Sequence, residues 1–193
     1  MNSGSQRDPS AEQIATAVGH WIDDVIISLN LCPFAGRVFR EQRIRITVTD
    51  VTSEAALLDE LAAAIQALRA APELETRLLV HPTALNDVLA YNQVLDQVDA
   101  LLQQGGYEGE FQVASFHPDY QFAGTEPADA ENYSSRSPFP LLHILRESSI
   151  DAAIAQYPDV ESIPTRNMDT LNALGAAQLR ALSVSYTHLT LPT

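Results

Sequence analysis

Residues Phe111–Glu147 read FQVASFHPDYQFAGTEPADAENYSSRSPFPLLHILRE, and the way this stretch divides into elements decides the fold. It opens as an apolar run of strand character that stops at His117-Pro118, because a proline biases the preceding histidine away from helix and forces an abrupt exit from a sheet. From His117 to about Ser137 the chain is polar and holds His117, Asp119, Tyr120, Gln121, Glu126, Asp129, Glu131, Asn132, Tyr133 and Arg136. A loop of this length is usually functional or disordered, and its aromatics and paired prolines argue against disorder. Ser137-Pro138 has the form of a cap followed by proline in the first turn, so the spacing predicts a helix through Glu147.

Upstream, elements alternate. Ala11 to Asn30 carries Ile14, Val18, Trp21, Ile22, Val25, Ile26 and Leu29 at steps of three and four, the mark of an amphipathic helix capped by Ser10. Arg43 to Thr49 alternates Ile44, Ile46 and Val48 with polar residues, as an edge strand does. Ser53 caps a helix to about Ala70, Thr76 to His81 is a second strand, a helix runs from about Asn86 to Gln104 and is closed by Gly105-Gly106, and Glu110 to Phe116 is the third strand. The expected fold is therefore α/β: a small, mainly parallel sheet of at least three strands in β-α-β-α-β order, with the N-terminal helix and C-terminal helices (Ser149 to Tyr157, Pro164 to Leu182) packed on it. Residues 1–9 read as a disordered start and 10–183 as a single domain. Residues 184–193, VSYTHLTLPT, resemble the in-frame translation of a transposon adaptor used in making sequencing libraries, so they read as an artefact that replaces the native ending.

With 193 residues, 46% of them apolar and 19% charged, the chain can bury a substantial core. Its N-terminus has no basic patch followed by an apolar core, and no apolar run reaches the roughly 18 residues of a membrane helix, which points to a cytoplasmic protein without a membrane partner. A net charge of −14 repels phosphate backbones, so nucleic acid is not expected either. The cations are 11 arginines and no lysine, which excludes Schiff-base chemistry and a phosphate-loop lysine. The single cysteine, Cys32, cannot form an internal disulfide and agrees with a reducing compartment.

If the strands are parallel, their C-terminal ends share one edge, where open α/β folds place ligands. Asp50, His81 and His117 stand at those ends, and so would converge. Cys32 precedes Pro33 in Asn30-Leu-Cys-Pro-Phe-Ala and is expected to cap a short helix whose dipole favours a thiolate. Were Cys32 to join His81 and His117, it could serve as a nucleophile with an imidazole base, assisted by Asp119, or the three could form a zinc site with an open position. Each has a bland counterpart: a strand-end histidine tied to a carbonyl, or a small buried thiol. Arg136 beside a helix start would clamp an anionic ligand, or else pair with Glu131 or Asp129. Tyr120 and Asn132 lie in the same loop, and His143 would share a helical face with Arg146 and Glu147 over the pocket.

Several of these runs also mark a family. LNLCPFA (Leu29 to Ala35), LLVHP (Leu78 to Pro82) with Tyr91-Asn92, the whole of Glu110 to Glu147 and RNMDTLNALG (Arg166 to Gly175) resemble the uncharacterised bacterial family catalogued as domain of unknown function 1415. The likeness covers roughly Ala11 to Leu182 and implies a one-domain bacterial cytoplasmic protein. It carries over no reaction, cofactor or catalytic residue. The family pattern has a second asparagine where this chain has Ser135, which argues against that amide being essential.

Two functions follow from the residues. One is an enzyme acting on a small anionic metabolite through a Cys/His site, with zinc as a candidate cofactor. The other is a non-catalytic metal- or ligand-binding or regulatory protein whose long loop is a rigid plug or a partner surface. The oligomeric state is not encoded in any feature above.

Overall fold

Four strands form one sheet in the computed structural model of the protein, which describes residues 8–188; the expectations for residues 1–7 and 189–193 lie outside the described residues. The strands are β1 (Ile44–Val48), β2 (Thr76–Val80), β3 (Phe111–Phe116) and β4 (Leu141–Arg146), in the spatial order β1-β2-β4-β3. β1 and β2 are parallel, whereas β4 pairs antiparallel with β2 on one side and β3 on the other. The sheet is therefore mixed, not mainly parallel, and the expected β-α-β-α-β adjacency fails between β2 and β3. β1, β2 and β3 still point the same way, because two antiparallel pairings in succession restore the direction.

The correction traces to one segment. Residues from Ser137 were expected to form a helix; they lead instead into β4. Pro138 and Pro140 together keep the approach out of helix, since each disfavours helix in the residue before it, and the chain bends at Pro138-Phe139 instead. The run Leu141-Leu-His-Ile-Leu145 that follows has Leu141, Leu142 and Ile144 buried, with apolar residues presented to both faces, the pattern of a strand covered on both sides. In register, His143 sits between Leu78 of β2 and Ala114 of β3. On a strand His143 and Arg146 face opposite sides, so the expected helical trio with Glu147 does not form.

Helices cover both faces. α1 (Ala11–Trp21) begins at the Ser10 capping box with Gln13, then continues as a π-helical turn over Ile22–Ile27. Asn30 at φ 53° ends it, in a left-handed conformation that asparagine tolerates. α2 (Ala35–Arg40) is short, and Phe34 rather than Cys32 stands at its N-cap. α3 (Glu54–Arg69) and α4 (Val88–Gln104) are capped by the side chains of Ser53 and Asp87. α5 (Glu147–Ala155) follows β4 directly, and α6 (Ile163–Leu174) and α7 (Ala176–His188) are separated by Gly175 at φ 77°.

The result is three layers. α3 and α4 pack on one face through Leu61, Ile65, Val94 and Val98 against Leu79, Phe111 and Ile144. α1, α6 and α7 pack on the other through Val18, Trp21, Leu171 and Leu179 against Leu78, Val80 and Leu141. Among the described residues no helix is long and apolar enough to cross a membrane.

Candidate functional site

At the edge where β1, β2 and β3 end, His81 and His117 do come together, both packed on Tyr91 from α4. The His81 ring stacks on Tyr91 at 5.8 Å between centroids and the His117 ring tilts against it at 5.1 Å. Each imidazole is tied to backbone. His81 is fully buried and donates from Nδ1 to the Ala84 carbonyl at 2.9 Å, leaving Nε2 buried without a partner. His117 donates from Nε2 to the Leu85 carbonyl at 3.2 Å and accepts at Nδ1 from the Asp119 amide at 3.0 Å. Carbonyls only accept and amides only donate, so both tautomers are fixed by their partners. Burial pushes His81 down to about 4 and lowers His117 as well, so both rings are neutral at pH 7. The Tyr91 hydroxyl is raised by the same burial.

The long loop is held by its own side chains. Asn132, wholly buried, accepts at Oδ1 from the Phe122 amide and the Thr125 hydroxyl, both at 2.9 Å, and donates from Nδ2 to the Glu126 carbonyl at 2.8 Å. Arg136 donates from Nε to the Tyr120 carbonyl at 2.9 Å and from Nη2 to the Pro127 carbonyl at 2.8 Å, with its guanidinium over the Tyr133 ring. Two of the five donors of the anion clamp expected of Arg136 are thus engaged by loop carbonyls, and no helix start lies beside it. The Tyr120 ring rests edge-on against Phe122, and the Asp119 and Asp50 side chains are exposed.

Cys32 is elsewhere. It lines a cavity of about 370 Å³ at the opposite edge of the sheet, where β1 and β2 begin and β4 ends. Five residues of β2 separate the two edges, roughly 16 Å of strand. The face differs too: His81 and His117 adjoin the α4 layer, whereas the cavity opens on the layer of α1 and α5. The structure does not gather Cys32, His81 and His117, and among the described residues no three His, Cys, Asp or Glu side chains are placed to hold a metal ion. That geometry removes the ligand set of the expected zinc site.

The cavity is built from three pieces. Its floor is sheet: Ile44, Thr76, His143 and Leu145. One wall is the turn Cys32-Pro-Phe34 after the π-helical segment, and the other is α5, through Ile150 and Ala153, with Tyr157 just past its end. Phe34 and Tyr157 meet edge to face at 5.5 Å across the mouth. Glu75 at the rim is held by Arg37 at 2.9 Å and Arg43 at 2.5 Å, so its charge is compensated locally. Burial raises the Cys32 thiol, more than the amides of Phe34 and Ala35 lower it, so the thiolate expected from a helix cap is not favoured. Burial likewise takes His143 down to about 4.

Of the expected residues, then, His143 and Cys32 share a cavity, His81 and His117 share a buried cluster, and Asn132 and Arg136 organise the loop. Thr76, Phe34, Ile150 and Tyr157 were missed. Their signal was the two-sided run Leu141 to Leu145, which as a strand puts His143 beside Thr76; nothing local marked the walls.

The family model described as protein of unknown function (DUF1415) matches residues 13–181. No curated protein and no solved structure matches the chain. With the match spanning nearly all of its described residues, the chain belongs to the DUF1415 family.

Proposed function

We propose that the protein is a non-catalytic small-molecule-binding protein whose ligand occupies the cavity between Cys32, His143 and α5. One observation carries this reading: the cavity holds about 370 Å³ and sets a few polar side chains, Cys32, Thr76 and His143, among apolar ones. Ligand pockets have that size, roughly 300–1,000 Å³, and that composition. The long loop then acts as a rigid plug at the other edge, in keeping with its internally satisfied Asn132 and Arg136. A cytoplasmic setting fits, since a lone thiol stays reduced there.

The test is titration with the uncharged fluorescent probe N-phenyl-1-naphthylamine. The wild type is expected to bind one equivalent, and Ala153→Trp, which fills the cavity from α5, to lose binding by at least about 10-fold with an unchanged circular dichroism spectrum. A wild type that takes up no probe, or a folded A153W protein that binds as well, would sink the reading.

An enzymatic reading keeps one observation in its favour, the presence of the Cys32 thiol and the His143 imidazole on the same cavity. It comes second because burial disfavours the thiolate.

A further inference from the structure

The His143 ring is held in one tautomer, and that tautomer says what kind of molecule the cavity takes. Thr76 Oγ1 lies 2.6 Å from the Ile144 carbonyl and 2.5 Å from His143 Nε2. A hydroxyl has one proton to donate, and the carbonyl can only accept, so that proton goes to Ile144. Thr76 Oγ1 must then accept from His143, which places the ring proton on Nε2 and leaves Nδ1 a bare acceptor. Nδ1 has no hydrogen-bond partner within the protein, and it is not among the sealed, unsatisfied nitrogens such as His81 Nε2, so it remains open on a ring that lines the cavity.

Arg37 and Glu75 at the cavity are paired with each other, and Arg146, which has no ion-pair partner among the described residues, bonds carbonyls on the α3 side instead. Arg37 donates to both oxygens of Glu75, at 2.9 and 3.1 Å, and to Glu41 at 3.0 Å. Arg146 donates from Nη2 to the Leu68 carbonyl at 2.7 Å, on the other side of the sheet. An anion placed here would meet an imidazole lone pair instead of a free cation, and would lose its hydration among apolar walls.

Resting on the cavity as the binding site, we infer that its ligand is uncharged and largely apolar and presents one N–H or O–H donor to His143 Nδ1. This departs from the anionic metabolite expected from Arg136. Thr76, part of the cavity floor, acts in this scheme as a positioning residue that selects the tautomer of His143.

The experiment compares three probes of similar size by calorimetry at pH 7.5: phenol, toluene and benzoate. Phenol should bind about 3- to 10-fold more tightly than toluene, the usual net worth of one hydrogen bond, and benzoate should bind more weakly than either. Independently of any ligand, long-range proton–nitrogen correlation spectra should show His143 protonated at Nε2 and bare at Nδ1. In Thr76→Val the tautomer is no longer fixed, so the Nδ1-protonated ring should appear in the same spectra and the preference for phenol over toluene should shrink; a ring that stays wholly Nε2-protonated would show that Thr76 does not select it. Equal binding of phenol and toluene by the wild type, a preference for benzoate, or a wild-type ring protonated at Nδ1 overturns the inference and leaves the cavity reading standing. Failure of both toluene and phenol to bind removes the cavity reading, and this inference with it.

Discussion

The Tyr91 hydroxyl donates to the Leu141 carbonyl at 2.8 Å, so a residue of α4 pins the first residue of the inserted strand. The same oxygen accepts from the Phe116 amide at 3.1 Å, which bridges the end of β3 to the start of β4. Tyr91 is 1% exposed and Leu141 fully buried, so the Leu141 carbonyl cannot turn to water instead. Tyr91→Phe is expected to cost about 1–3 kcal/mol, the penalty for leaving a buried donor and acceptor unmet. Urea denaturation followed by the fluorescence of the single tryptophan, Trp21, measures it; a loss below about 0.5 kcal/mol would show the bridge to be incidental.

The loop makes a sharper demand on Asn132. Three hydrogen bonds converge on its amide in a fully buried setting, so Asn132→Ala should cost about 2–4 kcal/mol and open residues 118–136 to proteolysis before the rest of the chain. Cleavage of that segment at the wild-type rate would show that the loop holds its shape by other means.

His117 roots the loop through both ring nitrogens, a structural part in place of the base or ligand role expected of it. His117→Ala should destabilise the protein by about 1–3 kcal/mol and leave N-phenyl-1-naphthylamine binding intact, because the cavity lies at the far edge of the sheet. A stable variant that no longer binds the probe would return His117 to the site.

Acid sensitivity follows from His81 and His143. Each is held near 4 in the fold against an ordinary value of 6.5. Above pH 6.5 both are neutral whether folded or not. Between pH 6.5 and 4 the unfolded chain binds protons that the folded one refuses, so stability falls across that window, by on the order of 3 kcal/mol per histidine at its lower end. Urea midpoints at pH 7.5, 6 and 4.5 should decline in that order, and His81→Phe should flatten the slope. A flat profile in the wild type would mean that one or both rings are charged in the fold.

Cys32 should titrate above the ordinary thiol range, because its burial outweighs the two amides near it. Ultraviolet absorbance of the thiolate, and the pH dependence of iodoacetamide alkylation, report this directly. A midpoint below neutrality would put the enzymatic reading ahead of the binding one.

Most elements could be read from local signals. Ser10, Ser53 and Asp87 each bond an amide within their own first turn, so the helices they begin announce themselves over a few residues. The strand ends at His81 and His117 were equally local, being set by the prolines that follow. β4 was not, because Ser137-Pro138 matches the opening of a helix as well as the approach to a strand. What decided between them was burial of Leu142 and Ile144 on one face and Leu141 on the other, against partners far away in sequence. The cavity was hidden for the same reason: Thr76 and His143 meet only once β2 and β4 are paired. Arg136 and Asn132 were picked out as chemically capable, and they are, but the bonds they make within the protein, two from Arg136 and three at Asn132, all serve the loop that contains them.

The order β1-β2-β4-β3 also has a consequence for biosynthesis. The strand that completes the middle of the sheet is the last to leave the ribosome, so a nascent chain that has not yet released Arg146 holds β3 without its one strand neighbour. Thr76, which can pair with Ile44 at once, must wait for Leu145 on its other side, and Phe111 must wait for Arg146. Such distant pairings make assembly slow, and until they form the apolar strands stay open to other chains, which makes a helper that shields them during translation advantageous to this architecture.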